Sequence, residues 1–481
     1  MAPPPSKAAA AAPPPRARAA VLAGKLTQRA SRRLGRGGTA LPGLVAARID
    51  GALVDRLASQ LNAAILVTGT NGKTTTARML ATILESSGRV VVHNRAGSNL
   101  MRGIAAALID AAGPSGTLPA NAVGVFETDE ATLPQAAAAV RPTALVIGNL
   151  SRDQLDRYGE IEAVRGQWLE TIARLPATTT VVLNADDPSV STLARAAAGP
   201  VVQFGIQDPD IAEASPAHGP ALDALWDQET GAEYQYERRY LAHLGHWFCP
   251  QPSPTSSSQP IPARPTPDFA ANDVDLNDPV GVAFRLDAAG AHVPVRTTLR
   301  GAYNVYNALA AATAAAQLSV PLADAASALA HTQAAFGRQE ELIVDGHTVR
   351  ILLGKNPVGV NAALRTLTSD GPHHLLVLLN DGLADGTDVS WIWDTDWELL
   401  HNAASVVVGG RRAADMALRL QYAGCPAPLA LEPSIDAALR RRLETLPNDA
   451  PLIVLPTYTA MLEVREQLAR MAGAPRIWEG A

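Results

Sequence analysis

Lys73 and Thr74 have the side chains and the setting to handle phosphate. They end the run Val67-Thr68-Gly69-Thr70-Asn71-Gly72-Lys73-Thr74-Thr75-Thr76, which follows the apolar stretch Ala63 to Val67 and precedes a helix-like segment, Ala77 to Glu85. Strand, glycine turn and helix in that order aim backbone N–H groups at an anion. Gly69 and Gly72 permit the tight turn and the close approach of backbone to phosphate. Lys73 can then reach the outer phosphates, and the Thr74 hydroxyl can ligate Mg²⁺. Only Thr70 and Asn71 separate the glycines, fewer residues than in the general Walker pattern. The reading is an ATP site built from Gly69, Thr70, Asn71, Gly72, Lys73, Thr74 and Thr75.

Magnesium is a hard cation that prefers oxygen, so such a site also needs a carboxylate nearby. Glu127 is the candidate, with Asp129 and Glu130 beside it in Glu127-Thr128-Asp129-Glu130. Asp153, Asp156 and Arg157 mark a further polar loop, Asn149 to Gly159.

These loops need a frame. Short apolar runs at Ala63–Val67, Arg89–Val92, Ala122–Phe126, Thr143–Ile147 and Thr179–Leu183 alternate with helical stretches, among them an amphipathic helix from Ile49 to Leu61. That alternation predicts an α/β fold with a doubly wound parallel sheet. Ligands of such sheets sit beyond the carboxyl ends of the strands, where each of these runs turns polar. With 481 residues and 47% hydrophobic composition, the chain can bury sizeable cores, in about three domains by length. A net charge of -6 argues against a general nucleic-acid binder. No apolar run reaches the roughly 20 residues of a membrane span. Two cysteines, Cys249 and Cys425, cannot make a disulfide framework, which points to a reducing, cytoplasmic setting. The Ala/Pro/Arg-rich lead, residues 1–40, is expected to be disordered. Its arginines Arg29, Arg32, Arg33 and Arg36 read equally as a solvated face or as phosphate contacts.

The phosphate loop, the Asn184-Ala185-Asp186-Asp187-Pro188 segment and Gly301-Ala302-Tyr303-Asn304-Val305-Tyr306-Asn307 together resemble the Mur ligase family. Those enzymes spend ATP to join an amine to a carboxylate in cell-wall or folate synthesis. Phe336-Gly337-Arg338-Gln339-Glu340 resembles the Gly-Arg-x-Glu stretch at the entry to their last domain. The resemblance implies a central ATP-binding domain over 41–325 and a C-terminal α/β domain over 326–481. It places Asn304 and Asn307 by the adenine and Arg338 near the phosphates or ribose. Lys73, Thr74 and Glu127 would hold the triphosphate and Mg²⁺.

Within the central domain, residues 208–276 change character. Gln251 to Pro267 has linker composition, and Tyr234–Tyr240 with Gly245–Pro250 reads as a small β insertion. The amidating branch of the family carries a four-cysteine zinc ribbon here; this chain keeps only Cys249, so zinc is not expected.

The C-terminal third resembles that same branch through Lys355-Asn356-Pro357, Asn380-Asp381-Gly382-Leu383-Ala384-Asp385-Gly386 and Asp388-Val389-Ser390-Trp391-Ile392-Trp393-Asp394. The resemblance implies amidation of the D-glutamate α-carboxylate in the lipid II stem peptide to D-isoglutamine, at the inner membrane face. ATP would activate the acid as an acyl phosphate. Neither cysteine sits in a nucleophile elbow, so ammonia must come from a separate glutaminase, a GatD-like partner by resemblance. Asp394, ahead of Asp388 and Asp385, would complete that partner's Cys/His pair, since a carboxylate behind an imidazole orients it. Trp391, Ile392 and Trp393 are expected on a short strand, with the tryptophans in the core. The alternatives are a ligase adding an amino acid, of folylpolyglutamate or muramyl-peptide type, and a non-catalytic nucleotide-binding scaffold for a glutaminase.

Overall fold

The computed structural model describes residues 13–33, 41–94, 98–152, 161–212, 223–224, 226–227, 231–250, 263–334, 337–368, 372–427 and 430–475. The expected loop residues Asp153, Asp156 and Arg157 lie outside them.

Eleven strands are numbered along the first part of the chain. They are β1 Ala63–Thr68, β2 Val90–His93, β3 Ala122–Glu127, β4 Ala144–Ile147, β5 Thr180–Asn184, β6 Val201–Ile206, β7 Gln235–Leu241, β8 Leu244–Phe248, β9 Phe269–Asp275, β10 Val282–Ala288 and β11 Ala291–Thr297. Nine of these form one sheet in the order β11-β10-β9-β6-β5-β4-β1-β3-β2. From β2 across to β9 the pairing is parallel, and β10 and β11 close the edge antiparallel. Successive residues of β1 feed opposite faces, as the two-residue period of a strand requires. Ile65 and Val67 pack with Ala77, Leu80 and Ile83 of the helix Lys73–Ser86. Ala64 and Leu66 pack with Ile104, Phe126 and Trp168 on the other side. Both faces are therefore helix-covered, and the strands need no polar alternation. The alanine-rich helix Ala302–Ala316 is buried along nearly its whole length and lies against Lys73–Ser86.

The second sheet uses β12 Arg338–Val344, β13 His347–Leu352, β14 His374–Leu378, β15 Ser405–Gly409, β16 Ala430–Glu432 and β17 Leu452–Pro456, in the order β12-β13-β17-β14-β15-β16. It is parallel except for the β12–β13 pair. The chain thus carries two sheets, and β7–β8 is only a hairpin, so no third domain appears among the described residues.

Four expectations are corrected. Part of the lead is ordered: Pro15–Arg33 is a helix whose Ala17, Ala20 and Val21 are buried with Ile104, Leu108 and Ile109. Alanine and leucine favour helix strongly enough that a narrow apolar stripe suffices. Its Arg29 is exposed. The helix expected from Ile49 to Leu61 is broken, ending at Ile49 and resuming over Leu53–Ala58. Asp50 Oδ1 accepts from Ala52 N at 3.1 Å across the break, an Asx turn that competes with helix. The segment 208–276 does not end where its composition does, because β9 pairs with β6 in the main sheet. Ser390–Asp394 is a 3₁₀ turn, so its side chains follow a period of three and not two. Ile392 is buried, while Trp393 is 47% exposed and lies outside the core.

Candidate active site

The phosphate loop joins β1 to the helix Lys73–Ser86. Gly69 and Gly72 have φ of 137° and 83°, values that cost an L side chain energy. A Cβ on Gly72 would lie 2.2 Å from Asn307 Oδ1. The loop is braced from three sides. Asn71 N donates to Asn149 Oδ1 at 2.8 Å, and Asn149 Nδ2 returns a bond to Asn71 O at 2.9 Å. Thr70 Oγ1 accepts from Ser151 N at 3.0 Å and donates to Ser151 O at 3.1 Å. Asn307 Oδ1 accepts from Thr76 Oγ1 at 3.1 Å.

At the loop's mouth, Lys73 is buried. Its Nζ lies 3.0 Å from Glu130 Oε1 and donates to the Gly69 and Thr70 carbonyls. Thr74 Oγ1 sits 2.9 Å from each oxygen of Glu127. Glu127 ends β3, and Asn94 fixes its backbone twice: Oδ1 accepts from Glu127 N at 2.9 Å, and Nδ2 donates to Glu127 O at 2.8 Å. Two strand ends thereby bring one hydroxyl and one carboxylate together.

The second sheet completes the site. Asn356 Nδ2 donates to Asn71 Oδ1 at 3.1 Å, while Asn356 Oδ1 accepts from Gly359 N at 2.8 Å. A cavity of about 730 Å³ lies between the sheets. Thr70 to Thr75, Glu127, Glu130, Asn304, Asn307, Arg338, Lys355 and Tyr458 line it. Burial raises the Tyr458 hydroxyl and pushes the Tyr303 hydroxyl up to about 12. Asn304 bonds inward, accepting from Asn307 Nδ2 at 2.9 Å and donating to Arg300 O at 2.8 Å.

The residues present fit a nucleoside triphosphate and a hard divalent cation. Glycine backbone approaches closely, Lys73 supplies charge, and the Thr74–Glu127 pair is an oxygen donor set. Asn71 Nδ2 is buried with no hydrogen-bond partner, a donor at the cavity wall.

Other motif residues are structural. Asp187 caps Pro188–Ser191 and accepts from Leu150 N at 2.8 Å and His243 Nε2 at 3.2 Å. Asp186 accepts from Arg264 Nε at 2.7 Å and Tyr306 Oη at 2.7 Å. Glu340 accepts from Gly337 N at 2.9 Å and Arg465 Nη2 at 2.8 Å, tying the entry stretch to the last helix, Tyr458–Ala472.

The three carboxylates expected to meet a partner differ. Asp385 is buried and accepts from Thr459 N at 2.7 Å and Gly382 N at 3.1 Å. Asp388 accepts from Ser390 N at 2.8 Å just ahead of the 3₁₀ turn. Asp394 stays away from the cavity lining and pairs across the sheets with Arg152, 3.1 Å from its Nη1 to Asp394 Oδ2. Arg152 also lies 2.5 Å from Asp223 Oδ1.

Burial pushes both Cys249 and Cys425 up to about 11, away from the thiolate form. Cys249 packs with Ala224, Tyr234 and Trp247. Among the described residues no three or more His, Cys, Asp or Glu gather as a metal cluster. No described helix is long and apolar enough to cross a membrane.

Sequence reasoning missed the pairings: Asn356 with Asn71, Glu130 with Lys73, Arg152 with Asp394 and His243 with Asp187. Asn356 stood in a quoted motif, but nothing in the sequence places it against Asn71.

Fold and cavity together define a nucleotide-dependent ligase of the Mur type. Residues 67–221 match the family described as Mur ligase middle domain, and residues 353–461 the family described as MurT ligase C-terminal. The chain is 30% identical over 460 residues to the lipid II isoglutaminyl synthase (glutamine-hydrolysing) subunit MurT of Staphylococcus aureus (strain COL), covering 94% of this chain and 97% of that one. It is 34% identical over 454 residues to the subunit of the same name from Streptococcus pneumoniae (strain ATCC BAA-255 / R6), covering 93% and 96%. A solved pseudomurein peptide ligase type C from Methanothermus fervidus superposes with a TM-score of 0.64 at 22% identity, over 85% of this chain and 78% of that one. The chain belongs to the MurT family of Mur-ligase-like proteins.

Proposed function

We propose that this chain is the ATP-dependent ligase subunit that amidates the D-glutamate α-carboxylate of the lipid II stem peptide to D-isoglutamine. The observation carrying the proposal is the joint placement of Lys73, Thr74 and Glu127 on a cavity that Asn356 helps to close from the second sheet. A carboxylate does not react with ammonia at pH 7, because its oxygen is a poor leaving group. Transfer of the ATP γ-phosphoryl group to that oxygen gives an acyl phosphate; ammonia attacks its carbonyl carbon, and phosphate leaves.

Lys73 would offset charge on the transferred phosphoryl group. Thr74 and Glu127 would hold Mg²⁺, which when bound neutralises the phosphate oxygens. Arg338 would reach the phosphates or ribose, and Asn304 and Asn307 would border the adenine while bracing the loop.

Ammonia would come from a GatD-like glutaminase subunit. Burial raises the Cys249 and Cys425 thiols, which supports an external source, and the relatives' names describe a glutamine-hydrolysing enzyme in subunits. Asp394 would stand behind that partner's imidazole. The lipid acceptor would bring the complex to the inner membrane face without insertion.

The test is to purify the chain with its glutaminase partner and treat lipid II with ATP, Mg²⁺ and glutamine. The mass should fall by the difference between a hydroxyl and an amino group, and not with Lys73→Ala. A product that instead gains a free amino acid would favour the amino-acid ligase reading.

A further inference from the structure

Arg152 stands between three parts of the site. Its Nη1 is 3.1 Å from Asp394 Oδ2, its Nε is 2.5 Å from Asp223 Oδ1, and its backbone N donates to Asp223 Oδ2 at 3.1 Å. Its chain neighbour Ser151 exchanges two hydrogen bonds with Thr70 of the phosphate loop. Asp394 is held firmly from its own side as well. The Arg419 guanidinium donates to Ile392 O at 3.3 Å and Thr395 O at 2.8 Å, bracketing the turn that carries it. The Asp394 carboxylate engages Arg152 through one oxygen, and 32% of its side chain remains exposed.

We infer that Arg152 is a positioning residue for the partner's glutamine hydrolysis. It anchors Asp394 by Oδ2, leaving the part-exposed carboxylate its second oxygen to accept from an imidazole N–H. This rests on the reading that Asp394 completes the partner's Cys/His pair. A planar guanidinium is needed because it serves two carboxylates in different directions at once, and an ammonium cannot copy that fork. The consequence is that the partner's third catalytic member depends on both sheets of this chain. Asp394 sits on the second sheet's domain, but its anchor is tied through Ser151 to the nucleotide loop of the first.

The test uses the intact two-subunit complex and follows glutamate release from glutamine. With Arg152→Gln, kcat should fall about tenfold or more, since misplacing a catalytic group by about 1 Å can cost a hundredfold. The KM for glutamine should hold, because glutamine is bound by the partner. Arg152→Lys should also lower kcat, by less. Melting temperature and co-elution of the subunits establish that each variant folds and assembles, and should Arg152→Gln fail that check the criterion passes to Arg152→Lys. Wild-type kcat in the assembled variant, with Asp394→Asn impaired, overturns the role of Arg152 and leaves that of Asp394 standing. Wild-type kcat in Asp394→Asn overturns both.

Discussion

Lys73 Nζ and Glu130 Oε1 lie 3.0 Å apart with both side chains 6% exposed. The lysine that would meet the nucleotide is therefore half of a buried ion pair, and its removal leaves a carboxylate without its cation.

Lys73→Ala should abolish amidation and also destabilise the protein by roughly 3 kcal/mol, the scale of a broken buried pair. Lys73→Ala with Glu130→Gln should recover much of that stability and none of the activity. Urea unfolding beside a turnover assay separates the two effects. Equal stability of the single and double variants would show that the stranded Glu130 charge is not what destabilises Lys73→Ala.

Asn356→Ala removes the hydrogen bond from the second sheet to Asn71 Oδ1. An acceptor left unpaired costs at most about 1–3 kcal/mol, and Asn71 is only half-buried. The KM for ATP should rise about fivefold or more, and the melting transition should fall by a few degrees. Steady-state kinetics over ATP concentration would measure it, and an unchanged KM would detach Asn356 from the nucleotide site.

Glu127→Gln keeps the shape at Thr74 and removes the charge. The Mg²⁺ concentration for half-maximal activity should rise at least about tenfold, because a hard cation loses an ionised oxygen ligand. A Mg²⁺ titration decides whether Glu127 has this role.

His243 is fully buried against Asp187, 3.2 Å away. Burial opposes its charged form, but the Asp187 carboxylate outweighs that, and the pKa is raised. A raised folded-state value means the pair stabilises most below the unfolded pKa of about 6.5, and that contribution is lost as pH climbs through the folded value. The stability gap between wild type and His243→Gln should therefore be larger near pH 6 than near pH 9. Denaturation at the two pH values tests the sign.

The parallel sheet was legible because strands buried on both faces read as unbroken apolar runs, and the phosphate loop because its glycines and lysine are contiguous. Glu127 was legible for a related reason: in a parallel sheet the residue ending a strand faces the shared ligand edge. What lay hidden was long-range. Asn71 to Asn356 and Arg152 to Asp394 each cross hundreds of residues, and no local pattern encodes such a meeting. The tryptophan segment misled because a tryptophan on either side of an isoleucine fits a short strand as well as the 3₁₀ turn that forms, in which Ile392 is buried and Trp391 packs partly on the core. The first helix misled because its flanking proline and alanine content resembles a solvated tail, whereas three small buried residues give it a seat.

That seat is made only after the helix itself has been synthesised. The helix Pro15–Arg33 rests on Ile109, and Lys25 reaches the Asp110 carbonyl at 3.0 Å, 85 residues further along. At ribosomal speeds of about 5–20 residues per second, the nascent helix waits roughly 4–17 seconds before its landing surface exists. Through that interval Ala17, Ala20 and Val21 have nothing of this seat to bury against.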